Sequence, residues 1–198
     1  MNRAKDAIDR DDDAFLMSDH NISLYLRMLT LNVDFGPPFL DMTLVQYAIA
    51  KRSHKSLRKM LDFQLNELHL EIEDIIISNT RGSLLQLALY FGSKNNFYDT
   101  TDIECLKTVI DFSISNGSKF KAGKFDIDME DINGNTSLFS AIEKQNIDAI
   151  RLLIENQADI FHESQKNIIY KCPLQLLLQV APNISFLEIV IDDILKDK

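Results

Sequence analysis

The 198-residue chain has no tryptophan, four prolines, six glycines and two cysteines. Cys105 and Cys172 stand far apart, with neither metal-ligand spacing nor the density of a disulfide framework, so a thiol-stapled fold is excluded and a reducing compartment is expected. No apolar run approaches the roughly 20 residues that a membrane helix needs. The start, MNRAKDAIDRDDDAF, lacks the apolar stretch of a secretory signal. These absences lead to the expectation of a cytoplasmic protein with no membrane partner, reaching a host cell only by a signal-peptide-independent route. Positive charge is short as well: 21 Lys and Arg stand against 30 Asp and Glu, a formal net charge of −9. Such a surface repels phosphate, which argues against nucleic acid as a partner, while a basic protein partner is compatible with it. There is no Gly-rich phosphate loop, and no cofactor is expected.

What the chain does have is 45% hydrophobic residues, enough over this length to bury a real core. Their arrangement is clearest in DINGNTSLFSAIEKQNIDAIRLLIENQADIF, residues 131–161. Leu138, Ala141 and Ile142 mark one face of a short helix, and Ile147, Ile150, Leu153 and Ile154 one face of a second. Gln145-Asn146 lies between them, where Asn suits a left-handed turn. Gly134 precedes the first helix at a place that wants positive φ, and Thr136 is placed to cap the helix through its hydroxyl.

The unit recurs. TSLFSA at 136–141 is echoed by TLVQYA (43–48), SLLQLA (83–88) and CPLQLL (172–177), each followed by a second apolar-faced stretch: HKSLRKML (54–61), IECLKTVI (103–110) and ISFLEIVI (184–191). This pattern resembles the ankyrin repeat, whose first helix reads T-P-L-H-x-A. Asp131, Gly134, Thr136, Leu138, Ala141, Leu152, Leu153 and Ala158-Asp159-Ile160 carry the likeness, which extends over roughly residues 39–195. The resemblance implies an all-α ankyrin-repeat solenoid of about four helix-turn-helix repeats with N- and C-terminal caps. Residues 1–38 are read as capping helices, with Leu24, Met28 and Leu31 at helical spacing. Residues 39–78, 79–130, 131–165 and 166–198 are read as the repeats of one continuous domain, a monomer.

The departures have physical readings. The motif's His becomes Gln46, Gln86 and Gln175, whose amides can bridge neighbouring turns as His does, and Phe139, which cannot. Successive copies start 40, 53 and 36 residues apart, against about 33 for the family. The excess falls at 93–101 and 113–125, a loop lengthening that costs only about 0.6 kcal/mol per doubling. Leu177 at the close-packed Ala position reads as a terminal cap.

The resemblance also implies a non-catalytic protein-protein interaction module that binds a protein partner through its concave face. The corresponding positions in the best copy are Ile132, Asn133, Asn135, Glu143 and Lys144. The first copy supplies Phe39, Leu40, Met42 and Lys51, the second Asn79, Tyr90 and Phe91, and the last Ile168 and Lys171. Phe39, Met42, Tyr90, Phe91 and Ile132 are expected to form an exposed apolar centre. Two narrower versions are an adaptor or effector of an intracellular microbe or virus, and an immunity protein that neutralises a basic toxin.

Chemistry-bearing clusters receive plainer readings. Asp126, Asp128, Glu130 and Asp131 crowd FDIDMEDING, but Asp131 and Ser137 stand where a calcium loop wants Gly and an acid, so an acidic finger is expected and no metal. KRSHKSLRK (51–59) reads as an exposed basic helix face, and DDD (11–13) as a solvated helix start. Cys105 falls on a core face. A Cys172–His162 nucleophilic pair, and hence a cysteine hydrolase, can be drawn, but no third orienting group accompanies it, so the chain is not expected to be an enzyme.

Overall fold

The computed structural model describes residues 2–14, 41–78, 82–94, 100–167, 169–180, 187–188 and 190–192. In chain order its helices are α1 (Asn2–Asp9), α2 (Leu44–Ala50), α3 (His54–Asn66), α4 (Ile72–Ile76), α5 (Leu84–Gly92), α6 (Glu104–Ser115), α7 (Ser137–Glu143), α8 (Ile147–Glu155) and α9 (Pro173–Val180). The expected helix carrying Leu24, Met28 and Leu31 lies outside the described residues. Two compact units result: unit 1 is Met1–Ser78 with Glu104–Phe125, and unit 2 is Asn79–Ile103 with Asp126–Lys198.

In unit 1, Thr43 starts α2 with a reciprocal capping box. Its hydroxyl accepts from the Gln46 amide at 3.2 Å, and its own amide donates to Gln46 Oε1 at 2.9 Å. Every residue of α2 is buried, and Ala48 is small enough to let neighbours close on it. Leu57, Met60 and Leu61 give α3 a core face, and α3 packs against α2 and α6. Cys105 is buried on α6 with Leu106, Val109 and Ile110, in the core position expected of it. The spacing of Ala4, Ala7 and Ile8 buries one side of α1, which packs on α2.

Within the DDD stretch Asp13 does begin a helical stretch, but all three carboxylates are half-buried and Asp11 has a second task. Ser53, at the head of α3, makes no side-chain cap; its hydroxyl donates to the Ile8 carbonyl instead. Asp11 supplies the missing acceptor, taking the Ser56 amide at 2.9 Å and approaching His54 Nδ1 at 3.6 Å. A carboxylate against the positive end of a helix is favoured whichever segment delivers it.

In unit 2, α7 contacts α5, α8 and α9. Thr136 caps α7 by accepting from the Phe139 amide at 3.2 Å, and Gly134 has φ +82°, as expected for both. A Cβ on Gly134 would meet Ser164 Oγ and Lys166 Cβ, so two requirements select glycine there. Between α7 and α8 the left-handed residue is Gln145, φ +52°, rather than Asn146. Asn146 caps α8, its side chain accepting from the Ala149 amide at 3.2 Å. The turn between α2 and α3 in unit 1 has the same construction. There Arg52 has φ +58°, and Arg52 and Ser53 donate to the carbonyls of Ile49 and Ala48; in unit 2 Gln145 and Asn146 donate to those of Ile142 and Ala141. Both are helix endings with paired backbone bonds closing the last turn. Leu177 is fully buried.

Candidate functional site

In unit 2 a depression of about 310 Å³ opens between α5, α7 and the turn at 131–135. Five residues singled out in the sequence line it: Tyr90, Asn133, Asn135, Glu143 and Lys144. Their convergence follows from local structure. Tyr90 is the exposed residue of an otherwise buried α5, and Lys144 is the C-cap of α7. Asn133 and Asn135 are fixed by Asp131, whose Oδ1 accepts their amides at 2.8 and 2.9 Å. The Lys144 ammonium lies 5.1 Å from the centre of the Tyr90 ring, a cation–π distance. Ile132 projects from the same turn and is 77% exposed.

Sequence reasoning missed Gln86, Leu87, Asp131 and Ser140, which complete the lining. The signal was available: Gln86 and Leu87 lie one helical turn before Tyr90, and Ser140 one turn before Lys144. Gln86 does bridge between turns, its Nε2 donating to the Met129 carbonyl at 2.8 Å while its Oε1 accepts the Ser83 amide at 2.8 Å. The side-chain amide therefore ties the start of α5 to the adjacent finger.

Other expected contact residues fall elsewhere. Met42 is buried, because it occupies the position just before the α2 cap where an apolar side chain packs down as a staple. Phe91 is also buried: one residue on from Tyr90 is a rotation of about 100°, which turns it into the core. Its ring meets that of Tyr90 edge to face at 5.0 Å. Lys51 is half-buried, 3.4 Å from Asp9 Oδ1 and over the Tyr47 ring, so its charge serves unit 1 internally. Lys171 is exposed, its amide donating to Gln175 Oε1 at 2.8 Å. Phe39, Leu40, Asn79 and Ile168 lie outside the described residues.

The acidic finger is wired into neighbouring loops of unit 2. Asp128 accepts the Asp159 amide at 3.0 Å. Burial raises its pKa above the ordinary carboxylate value, against the opposing pull of that hydrogen bond and of His162. Glu130 takes His162 Nε2 at 3.1 Å and has Lys166 Nζ at 3.8 Å. His162 thus faces a carboxylate instead of the Cys172 thiol of the drawn nucleophilic pair. The carbonyl of Cys172 accepts the Gln175 amide at the head of α9.

The basic run of unit 1 borders a second depression of about 310 Å³, where His54, Lys55, Arg58 and Lys59 meet Asp13 and Asp111. Arg58 is paired with Asp62 at 3.1 Å, and Asp11 stands beside His54. Lys55, Arg58 and Lys59 against Asp11, Asp13, Asp62 and Asp111 leave no positive patch there.

No family model and no curated protein sequence matches the chain. Among solved structures it resembles the ankyrin repeat domain of Bcl-3, described as a unique member of the IkappaB protein family. The TM-score is 0.59 at 14% identity, over 96% of this chain and 71% of that one. Repeated capped helix pairs, the shared helix-turn-helix ending and this likeness agree: the chain has the all-α ankyrin-repeat fold.

Proposed function

We propose that the protein is a non-catalytic adaptor that binds a protein partner through the depression between α5, α7 and the 131–135 turn. Stacked helix pairs build extended binding surfaces, and the ankyrin fold typically serves as such a scaffold, which supports a protein-interaction role in general. The observation that carries the specific site is the convergence of Tyr90, Asn133, Asn135, Glu143 and Lys144 around one depression, with Ile132 exposed beside it. An aromatic side chain and an aliphatic one rimmed by amides and charges are the make-up of an interface anchor. Use as a microbial or viral effector is one version of this role, and such use rests on the same surface.

The test is affinity capture from the native cell with the parent and with a Tyr90→Ala, Ile132→Ala double variant. Partners identified with the parent should be lost or weakened at least about tenfold with the variant, the cost of removing an interface anchor, at an unchanged melting temperature. Equal capture of the same partners by both proteins places the interface elsewhere.

A further inference from the structure

The depression in unit 2 already holds a cation of its own, the Lys144 ammonium over the Tyr90 ring. Around that ring stand two carboxylates, Asp131 and Glu143, and the side-chain amides of Gln86, Asn133 and Asn135. Glu143 is exposed, and among the described residues no cation pairs with it. Asp131 commits Oδ1 to two backbone amides but keeps its charge in the lining. The wider setting has the same sign. Unit 2 carries 15 acidic and 8 basic side chains, whereas unit 1 carries 15 and 13, so most of the chain's negative charge belongs to the unit that contains the site.

From this we infer that the partner group seated in the depression is an arginine of a basic segment. The inference rests on the binding reading given above and adds the chemistry of the occupant. A guanidinium is planar, stacks on an aromatic face better than an ammonium does, and offers a fork of donors to a carboxylate. Tyr90 supplies the face and Glu143 the carboxylate, with the Asn133 side-chain amide at the wall; the carbonyls of Gln86 and Asn135 already accept from the Ser83 amide and the Asn167 side-chain amide. Lys144 is exposed and reaches the ring by a flexible stem, so it acts as a placeholder that an incoming arginine displaces. Removing that lysine should therefore tighten binding, an outcome that a merely structural role for Lys144 does not produce. The acidity of unit 2 adds long-range attraction that speeds encounter and weakens with salt.

The experiment uses the full chain and a fluorescein-labelled synthetic peptide of alternating Arg and Ala, with a second peptide in which citrulline replaces every Arg. Citrulline keeps the shape and loses the charge. In fluorescence anisotropy the Arg peptide should bind and the citrulline peptide should bind at least about tenfold more weakly. Glu143→Gln and Tyr90→Ala should each weaken the Arg peptide about fivefold or more, and Lys144→Ala should strengthen it. Glu155→Gln removes an equal charge from an exposed position on α8 outside the depression and should leave affinity within about twofold. Equal losses for Glu143→Gln and Glu155→Gln overturn the inference, because general acidity then accounts for the binding. So does equal affinity for the citrulline peptide. If the Arg peptide fails to bind while Tyr90→Ala, Ile132→Ala still abolishes partner capture, the occupant is wrong and the site stands. If capture ignores those substitutions, site and occupant fall together.

Discussion

Unit 1 and unit 2 are built from the same helix pair, yet they fasten it with different polar chemistry. In unit 1 the ties run to α1 and the turn after it and centre on two carboxylates, Asp9 and Asp11. The Tyr47 hydroxyl donates to Asp9 Oδ1 at 2.6 Å, Lys5 and Lys51 flank the same carboxylate, and Asp11 closes the head of α3. In unit 2 side-chain pairs such as Glu130 with His162 are joined by ties from side chain to backbone: Gln86 to Met129, Asp128 to Asp159, and Asp131 within its own turn. The first arrangement secures a helix to the stack by charge. The second sets the backbone path of the loops that carry the candidate site. Fixing loops through main-chain bonds leaves the side chains of Asn133 and Ile132 available for another molecule, while Asn135 Oδ1 accepts from Asn167 Nδ2 at 2.8 Å.

The sharpest way to break this comparison is a matched pair of glycine substitutions. Gly134 in unit 2 and Gly123 in unit 1 both have positive φ, +82° and +72°. A Cβ at Gly123 meets nothing within 4 Å, whereas at Gly134 it meets Ser164 and Lys166. Backbone strain at such positions is about 1–3 kcal/mol. Gly134→Ala should cost about 2 kcal/mol or more in urea unfolding, and Gly123→Ala about 1 kcal/mol. Equal costs would show that finger-to-finger contact does not restrict unit 2.

Tyr47→Phe addresses the fastening of unit 1, with an expected loss of about 1–2 kcal/mol for a hydrogen bond to a carboxylate. Burial, then the bond to Asp9, raises the Tyr47 pKa from 10.0 to about 12. The folded protein therefore holds that proton more tightly than the unfolded chain, and stability falls as pH rises from 10.0 towards about 12. The variant should lack this alkaline decline. Asp9 has the reverse sense: burial pushes its pKa up, but hydrogen bonds from Lys5 and Tyr47 and the charge of Lys51 outweigh that and lower it. Its contribution is present above the ordinary value of 3.8 and is lost as pH falls below it.

The smallest effect is expected at Asp128, where the sign opposes that of Asp9. A raised pKa means that the folded state is relieved by protonation, so this residue's contribution declines as pH rises above 3.8. Asp128→Asn keeps an acceptor for the Asp159 amide and should change neutral-pH stability by less than about 1 kcal/mol. Unfolding measured from acid to neutral pH should then show a flatter decline than in the parent. A steeper decline assigns the burial cost to another carboxylate.

The repeat itself was legible because its signals are local. Thr136 precedes an apolar helix, Gly134 sits where the chain must turn left-handed, and Gln86 stands at the motif's bridging position; each is decided within a few residues. The site was legible in part. Tyr90, Asn133, Asn135, Glu143 and Lys144 came from family position and do converge, but Met42 and Phe91 turn inward. Both fates follow from where each helix begins and ends, which family position alone does not fix. Phe91 is drawn in by the length of α5, whose last turn continues to Gly92 and carries Phe91 around to the core. Lys51 looked exposed because its partner, Asp9, is more than forty residues away. Gln145 takes the left-handed position because Asn146, the better left-handed residue, is more useful as the cap of α8.

The carboxylate of Asp11 reaches the head of a helix 45 residues downstream. Deleting the first dozen residues would expose the opening turn of a helix far from the cut. An affinity tag joined there, or a proteolytic nick just after α1, would be felt at Ser53–Ser56 before anywhere near the ends of the chain.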